Sequence, residues 1–129
     1  MTQSDCPFCN ADQSKLLLAN EHATAFLDGF PVTPGHTLIV PRRHISSLFE
    51  ATREEQAAFL DLLAETRGLL LAGRNPDGFN IGINDGVAAG QTVMHLHIHL
   101  IPRYAGDTED PRGGVRWIMP VNVPYWKKS

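Results

Sequence analysis

The sequence predicts an α+β fold, a mainly antiparallel sheet of about five strands with one long helix packed on it. Short apolar segments at 16–27 and 36–40 come first, and a single amphipathic segment follows Thr52. Segments alternating with period two then begin near Phe79 and Thr92. The order strands, helix, strands lacks the regular strand-helix alternation that builds a parallel sheet. The 129 residues fit one domain, with a core at about 6–103 and a tail at 104–129.

Each element has a local reason. Leu16–Ala19 and His22–Leu27 read as strands of a hairpin around Asn20-Glu21. Thr33-Pro34-Gly35 carries the type II turn signature, proline presetting φ and glycine accepting a positive one. His36–Val40 follows as a buried strand that Pro41 should stop. Thr52 and Glu55 form a capping box, and Phe59, Leu60, Leu63 and Leu70 recur at helical spacing up to Gly73, a helix of about five turns. Phe79, Ile81 and Ile83 alternate with Asn80, Gly82 and Asn84, and a last strand runs from Thr92 to Ile101, ended by Pro102. The loop Asp85–Gln91 between them is too long for a tight turn and rich in small residues, which suits a binding loop delivering backbone to the histidines. Beyond Arg103 the tail carries Trp117, Tyr125 and Trp126, aromatics suited to packing on the domain, sealing a dimer or closing over a ligand.

A net charge of -3 argues against a general nucleic-acid or anionic-membrane binder, so an anionic ligand must meet locally placed donors. No apolar run approaches the ~20 residues of a membrane span, and Met1–Asp5 lacks a signal peptide's charged and apolar regions, which makes the cytoplasm the expected compartment.

Alternation places Val93, His95, His97, His99 and Ile101 on one face of the last strand and Met94, Leu96, Ile98 and Leu100 on the other. The second set should pack under the helix, leaving three imidazoles about 6.6 Å apart in a surface groove. An unperturbed pKa of ~6.5 equips histidine to act near neutrality as nucleophile, acid or cation, which suits a polyphosphate. The rival is a metal, since H-x-H on a strand can present two nitrogens to Zn²⁺ with an open site for water.

The run Gly90-Gln91-Thr92-Val93-Met94-His95-Leu96-His97-Ile98-His99-Leu100-Ile101 closely resembles the signature of the histidine-triad family. Phe26-Leu27-Asp28 with Pro34-Gly35-His36-Thr37-Leu38-Ile39-Val40-Pro41 resembles its second characteristic region. Asn84-Asp85-Gly86, Ala89-Gly90-Gln91-Thr92 and Pro102-Arg103 look most like the fragile-histidine-triad branch of dinucleoside polyphosphate hydrolases. The resemblance implies a homodimeric hydrolase that cleaves dinucleoside polyphosphates or related nucleotidyl compounds at the α-phosphate. It makes His97 the nucleophile, forming a nucleotidyl-histidine, with a backbone carbonyl of the neighbouring strand fixing its tautomer. It puts His99 on the phosphate and leaving-group oxygen, Gln91, Thr92 and the amides around Gly90 on phosphate oxygens, and Asn84 at the phosphate end. Asp28 would accept from the ribose hydroxyls, Phe8 and Leu27 would wall the base, and His36 would support the histidine face. A phosphoramidase, a nucleotidyltransferase or a nucleotide-binding module with little turnover are the alternatives.

Cys6-Pro7-Phe8-Cys9 supplies half of a tetrahedral zinc site that His44 and His95 would complete, a pattern resembling several bacterial-type relatives and the uridylyltransferase branch. Such a zinc would be structural, bracing the catalytic strand. Two reduced thiols or a redox pair are the other readings of the motif. His22 carries no assignment.

Overall fold

The computed structural model describes residues 3–127. The opening hairpin forms as Leu16–Ala19 (β1) and Ala23–Leu27 (β2), and Asn20 closes it by accepting from the backbone N–H groups of His22 and Ala23. Thr37–Pro41 (β3) follows the predicted turn, in which His36 N–H donates to Thr33 C=O and Gly35 has φ 89°. A Cβ at Gly35 would also meet Arg74 Cδ at 2.7 Å, a side chain that can swing aside, so the positive φ is the main demand for glycine there.

The long helix (α1) spans Arg53–Arg74, with the Thr52/Glu55 capping box in place. It passes through Gly73, where the sequence suggested an end, because Asn75 takes the left-handed cap at φ 52°. Its buried apolar stripe is Phe59, Leu62 and Leu70, with Leu63 packed partly buried beside it, whereas Leu60 is 63% exposed, so one of the four predicted positions turns outward. Gly78–Ile83 (β4) and Ile98–Arg103 (β5) complete a five-stranded antiparallel sheet in the order β1-β2-β3-β5-β4. No helix among the described residues is long and apolar enough to cross a membrane.

Both faces of the sheet are covered. Ala23, Ala25, Ile39, Leu96, Ile98 and Leu100 pack with Phe59, Leu62 and Leu70 of α1. Burying each leucine in that layer contributes about 1.5–3 kcal/mol. On the opposite face Phe26, Leu38 and Val40 are covered by Phe8 and Ala11, which brings the cysteine segment onto the histidine side.

The last strand is shorter than the alternation implied. Residues 92–97 are irregular because their hydrogen-bonding groups are engaged elsewhere: Leu96 N–H reaches Ile45 C=O at 2.6 Å, and the His95 carbonyl accepts from the His97 ring. Pro41 is the last residue of β3, as expected, whereas β5 runs through Pro102 to Arg103. Pro102 C=O accepts from Thr33 Oγ1 and Pro41 C=O lies 2.8 Å from His95 Nε2, so each imide nitrogen faces a side where no strand asks for a donor.

Arg43 clamps the approach to His44 onto the helix start. Its Nη2 and Nε lie 2.8 Å and 3.1 Å from the Glu55 carboxylate, which also accepts from Thr52 N–H. The guanidinium, then the Thr52 amide, hold the Glu55 carboxyl down to about 2. Because this lies below the unfolded value of ~4.3, the ionised group adds stability above that pH and loses it as pH falls toward 2. Denaturant titrations of Glu55→Gln should therefore vary less between pH 5 and pH 3 than those of the unsubstituted protein.

Candidate active site and metal centre

The N-terminal segment, the β3–α1 connection and the residues before β5 converge on one cluster. Cys6, Cys9, His44 and His95 place their donor atoms within 4.8 Å of one another. His95 Nδ1 lies 3.4 Å from each sulfur and 3.1 Å from His44 Nδ1, and Cys9 Sγ lies 3.2 Å from His44 Nδ1. A tetrahedral ion with bonds of about 2.0–2.3 Å requires ligand separations of about 3.3–3.8 Å, so these spacings are close to those of a filled site. His95 Nε2 donates to Pro41 C=O at 2.8 Å, which leaves the Nδ1 lone pair directed at the cluster. These four residues are placed to bind a metal ion.

His97 is oriented by its own segment. Its Nδ1 donates to the carbonyl of His95 at 2.9 Å, which leaves an Nε2 lone pair. The acceptor is thus two residues away along the chain and not on the neighbouring strand, as the resemblance had implied. Phe8 packs edge-on against the ring with centroids 4.8 Å apart, limiting its rotation.

His99 takes the opposite tautomer. Val32 N–H donates to His36 Nδ1 at 3.1 Å, so the proton of neutral His36 sits on Nε2, 2.9 Å from His99 Nδ1. His99 accepts that bond and keeps its proton on Nε2. Burial, then the neighbouring His97 and His36 rings, push His99 down to about 4, and burial also lowers His36 despite Asp28 nearby, so both rings are neutral at physiological pH. His36→Leu should move the His99 proton between ring nitrogens, a change that ring ¹⁵N chemical shifts report directly.

A cavity of about 550 Å³ adjoins these groups, lined by Phe8, Leu27, Asp28, Asn84, Gly90, Thr92, His97 and His99. Eight of the residues singled out from the sequence therefore meet in one volume, of a size that suits a small ligand. Asp28 sits at its edge, accepting from Phe30 N–H through Oδ1, with Oδ2 3.4 Å from His36 Nε2. Gln91 lies apart: its side chain is buried, accepts from Gly86 N–H and donates to the carbonyls of Ser46 and Val93, so it holds the loop's shape. The Pro41 carbonyl and the Arg43–Glu55 clamp were not anticipated. Neither has a local signal, because both act through backbone or long-range partners.

A HIT domain is matched over residues 10–106. The HIT-like protein MG132 of Mycoplasma genitalium is 41% identical over 108 residues, covering 80% of this chain and 76% of that protein. The AP-4-A phosphorylase of Mycobacterium tuberculosis is 33% identical, covering 81% of this chain and 54% of that protein. The crystal structure of a Zn-bound histidine triad family protein from Mycobacterium smegmatis superposes with a TM-score of 0.75 at 33% identity, covering 84% of this chain and 82% of that one. With its triad, its sheet order and its matched length in agreement, the chain belongs to the HIT family, whose members bind and process nucleotides.

Proposed function

We propose that the protein hydrolyses nucleotidyl compounds, dinucleoside polyphosphates among them, at the α-phosphate through a covalent nucleotide on His97. One observation carries the reading: two histidines of opposite tautomer line the same cavity, His97 with a lone pair and His99 with a proton on Nε2. In the first half-reaction His97 Nε2 forms a bond to phosphorus as the bond to the leaving group breaks. The departing atom keeps the electron pair and accepts a hydrogen bond from His99 Nε2–H. The adduct is cationic on His97, and the His95 carbonyl that accepts its Nδ1–H stabilises that charge. Water then bonds to phosphorus, the P–N electron pair returns to His97, and the water's proton goes to solvent with the departed anion, leaving a nucleoside monophosphate.

The other lining residues divide the substrate between them. Phe8 and Leu27 wall the base, Asp28 accepts from the ribose hydroxyls, and Asn84, Thr92 and the Gly90 amide hold phosphate oxygens. Gln91 serves the same end by fixing the loop. The soft donor set of two thiols and two imidazoles suits zinc, which when bound supplies structural bracing beside the nucleophile. A homodimer is part of the proposal, since β4 is an outer strand and its Ile81, 45% exposed, lines one groove with Leu60 of α1, 63% exposed.

Brief incubation with diadenosine polyphosphate, acid quench and peptide mass analysis tests the mechanism. The peptide containing His97 should gain one nucleoside monophosphate, and full turnover with no such species at any time would exclude the covalent route.

A further inference from the structure

The tail beyond residue 106 lies outside the matched HIT region, yet it has a defined shape. Gly114–Ile118 and Pro120–Asn122 are 3₁₀ turns. Arg116 ties them by donating to the carbonyls of Asn122 at 2.8 Å and Val123 at 3.3 Å, and Trp117 Nε1 donates to Arg112 C=O at 3.0 Å. Val123 is fully buried, seated against Gly113, whose φ is 101° and where a Cβ would come within 2.6 Å of it. This wiring holds Val115, Ile118 and Met119 over the histidine face of β4 and β5, facing Val32 and Ile101. Together they bound a second chamber of about 820 Å³. His99 and Asn84 line both the chamber and the nucleotide cavity, so the two volumes meet beside the proton proposed to face the leaving atom.

The chemistry of the chamber is unlike that of a phosphate site. Among the described residues its only cationic side chain, Arg103, donates to both oxygens of Asp107 at 2.7 Å and 2.8 Å and to Asn80 Oδ1 at 2.8 Å. That guanidinium holds the Asp107 carboxyl down to about 2, so the two remain a neutral pair. A bare phosphate entering there would meet no free cation among the described residues. The roof is apolar and uncovered, with Ile118 81%, Val115 64% and Met119 56% exposed. Apolar surface beside a reacting centre gains by being covered, and an apolar moiety of the substrate would cover it.

We infer that the tail-roofed chamber receives the departing half of the substrate and selects leaving groups ending in an uncharged, apolar or aromatic moiety, such as a second nucleobase or an aryl group, over bare phosphate. The inference rests on the proposed nucleotidyl transfer. It makes Ile118 and Met119 specificity residues contributed by a segment outside the matched family region.

The test compares kcat/KM within two substrate pairs: diadenosine triphosphate against ATP, and the 4-nitrophenyl ester of AMP against adenosine 5′-phosphoramidate. The unsubstituted protein should favour the apolar-ended member of at least one pair, and Ile118→Asp should cut that preference about tenfold, as expected of a hydrophobic pocket. Met119→Gln is the second variant, and both alter exposed side chains, so melting temperatures check that the fold is kept. A change confined to the first pair assigns the chamber to a second nucleoside, and one confined to the second pair to another apolar group. Preferences absent or unmoved in both pairs, with turnover intact, overturn the chamber alone. No turnover of any of the four by the unsubstituted protein overturns the nucleotidyl reading and the chamber with it.

Discussion

His97→Asn is expected to lower turnover about 10⁴-fold or more, with no nucleotide adduct detectable by mass. The ring presents the only lone pair assigned to attack, because His99 spends its acceptor nitrogen on His36 and His95 directs its own toward the cysteines. Removing a covalent nucleophile costs the whole pathway, whereas removing one hydrogen-bond donor costs about 10²–10³. His99→Asn should therefore retain more activity than His97→Asn. Asparagine keeps a polar side chain at a position that Phe8 and the His95 carbonyl already confine, so nucleotide affinity measured by calorimetry should change only a few-fold. Residual turnover within tenfold of the unsubstituted protein would place the chemistry elsewhere.

The double substitution Cys6→Ser, Cys9→Ser should abolish metal uptake and lower the melting temperature by about 10 °C. The site joins three segments far apart in sequence: Cys6 and His95 are separated by 89 positions, Cys9 and His44 by 35. An ion bound only by the folded state stabilises it by mass action, and losing ~3 kcal/mol in a chain of this size shifts the midpoint by roughly 10 °C. Metal content per chain and the thiolate charge-transfer band of a cobalt-substituted sample read the site without reference to activity. The effect should also reach the nucleophile, because the carbonyl that orients His97 belongs to His95. A protein that takes up no metal and melts at the same temperature with and without chelator would remove the site from the account.

Most of the scaffold was legible residue by residue. The capping box at Thr52 and Glu55, the turn at Pro34-Gly35 and the alternation through Leu96, Ile98 and Leu100 depend on neighbours a few positions away, which a sequence displays. Where expectation and structure part, a longer contact prevailed over a local rule. Pro102 stays inside its strand because its imide nitrogen faces a side that needs no donor, and the strand through His95 and His97 breaks because its backbone bonds to Ile45 and to an imidazole. Leu62 displaced Leu60 from the core because the sheet fixes the helix's rotation, which periodicity alone does not.

The chemical inventory of the site, with its three alternating histidines, paired cysteines and acidic residue at a strand end, is written in the sequence and names the family. The division of labour among those groups is a tertiary property. An imidazole acts as lone pair, donor or ligand according to what lies against its other nitrogen. Those partners come from elsewhere in the fold: the Pro41 carbonyl for His95, the His95 carbonyl for His97, and His36, 63 positions away, for His99.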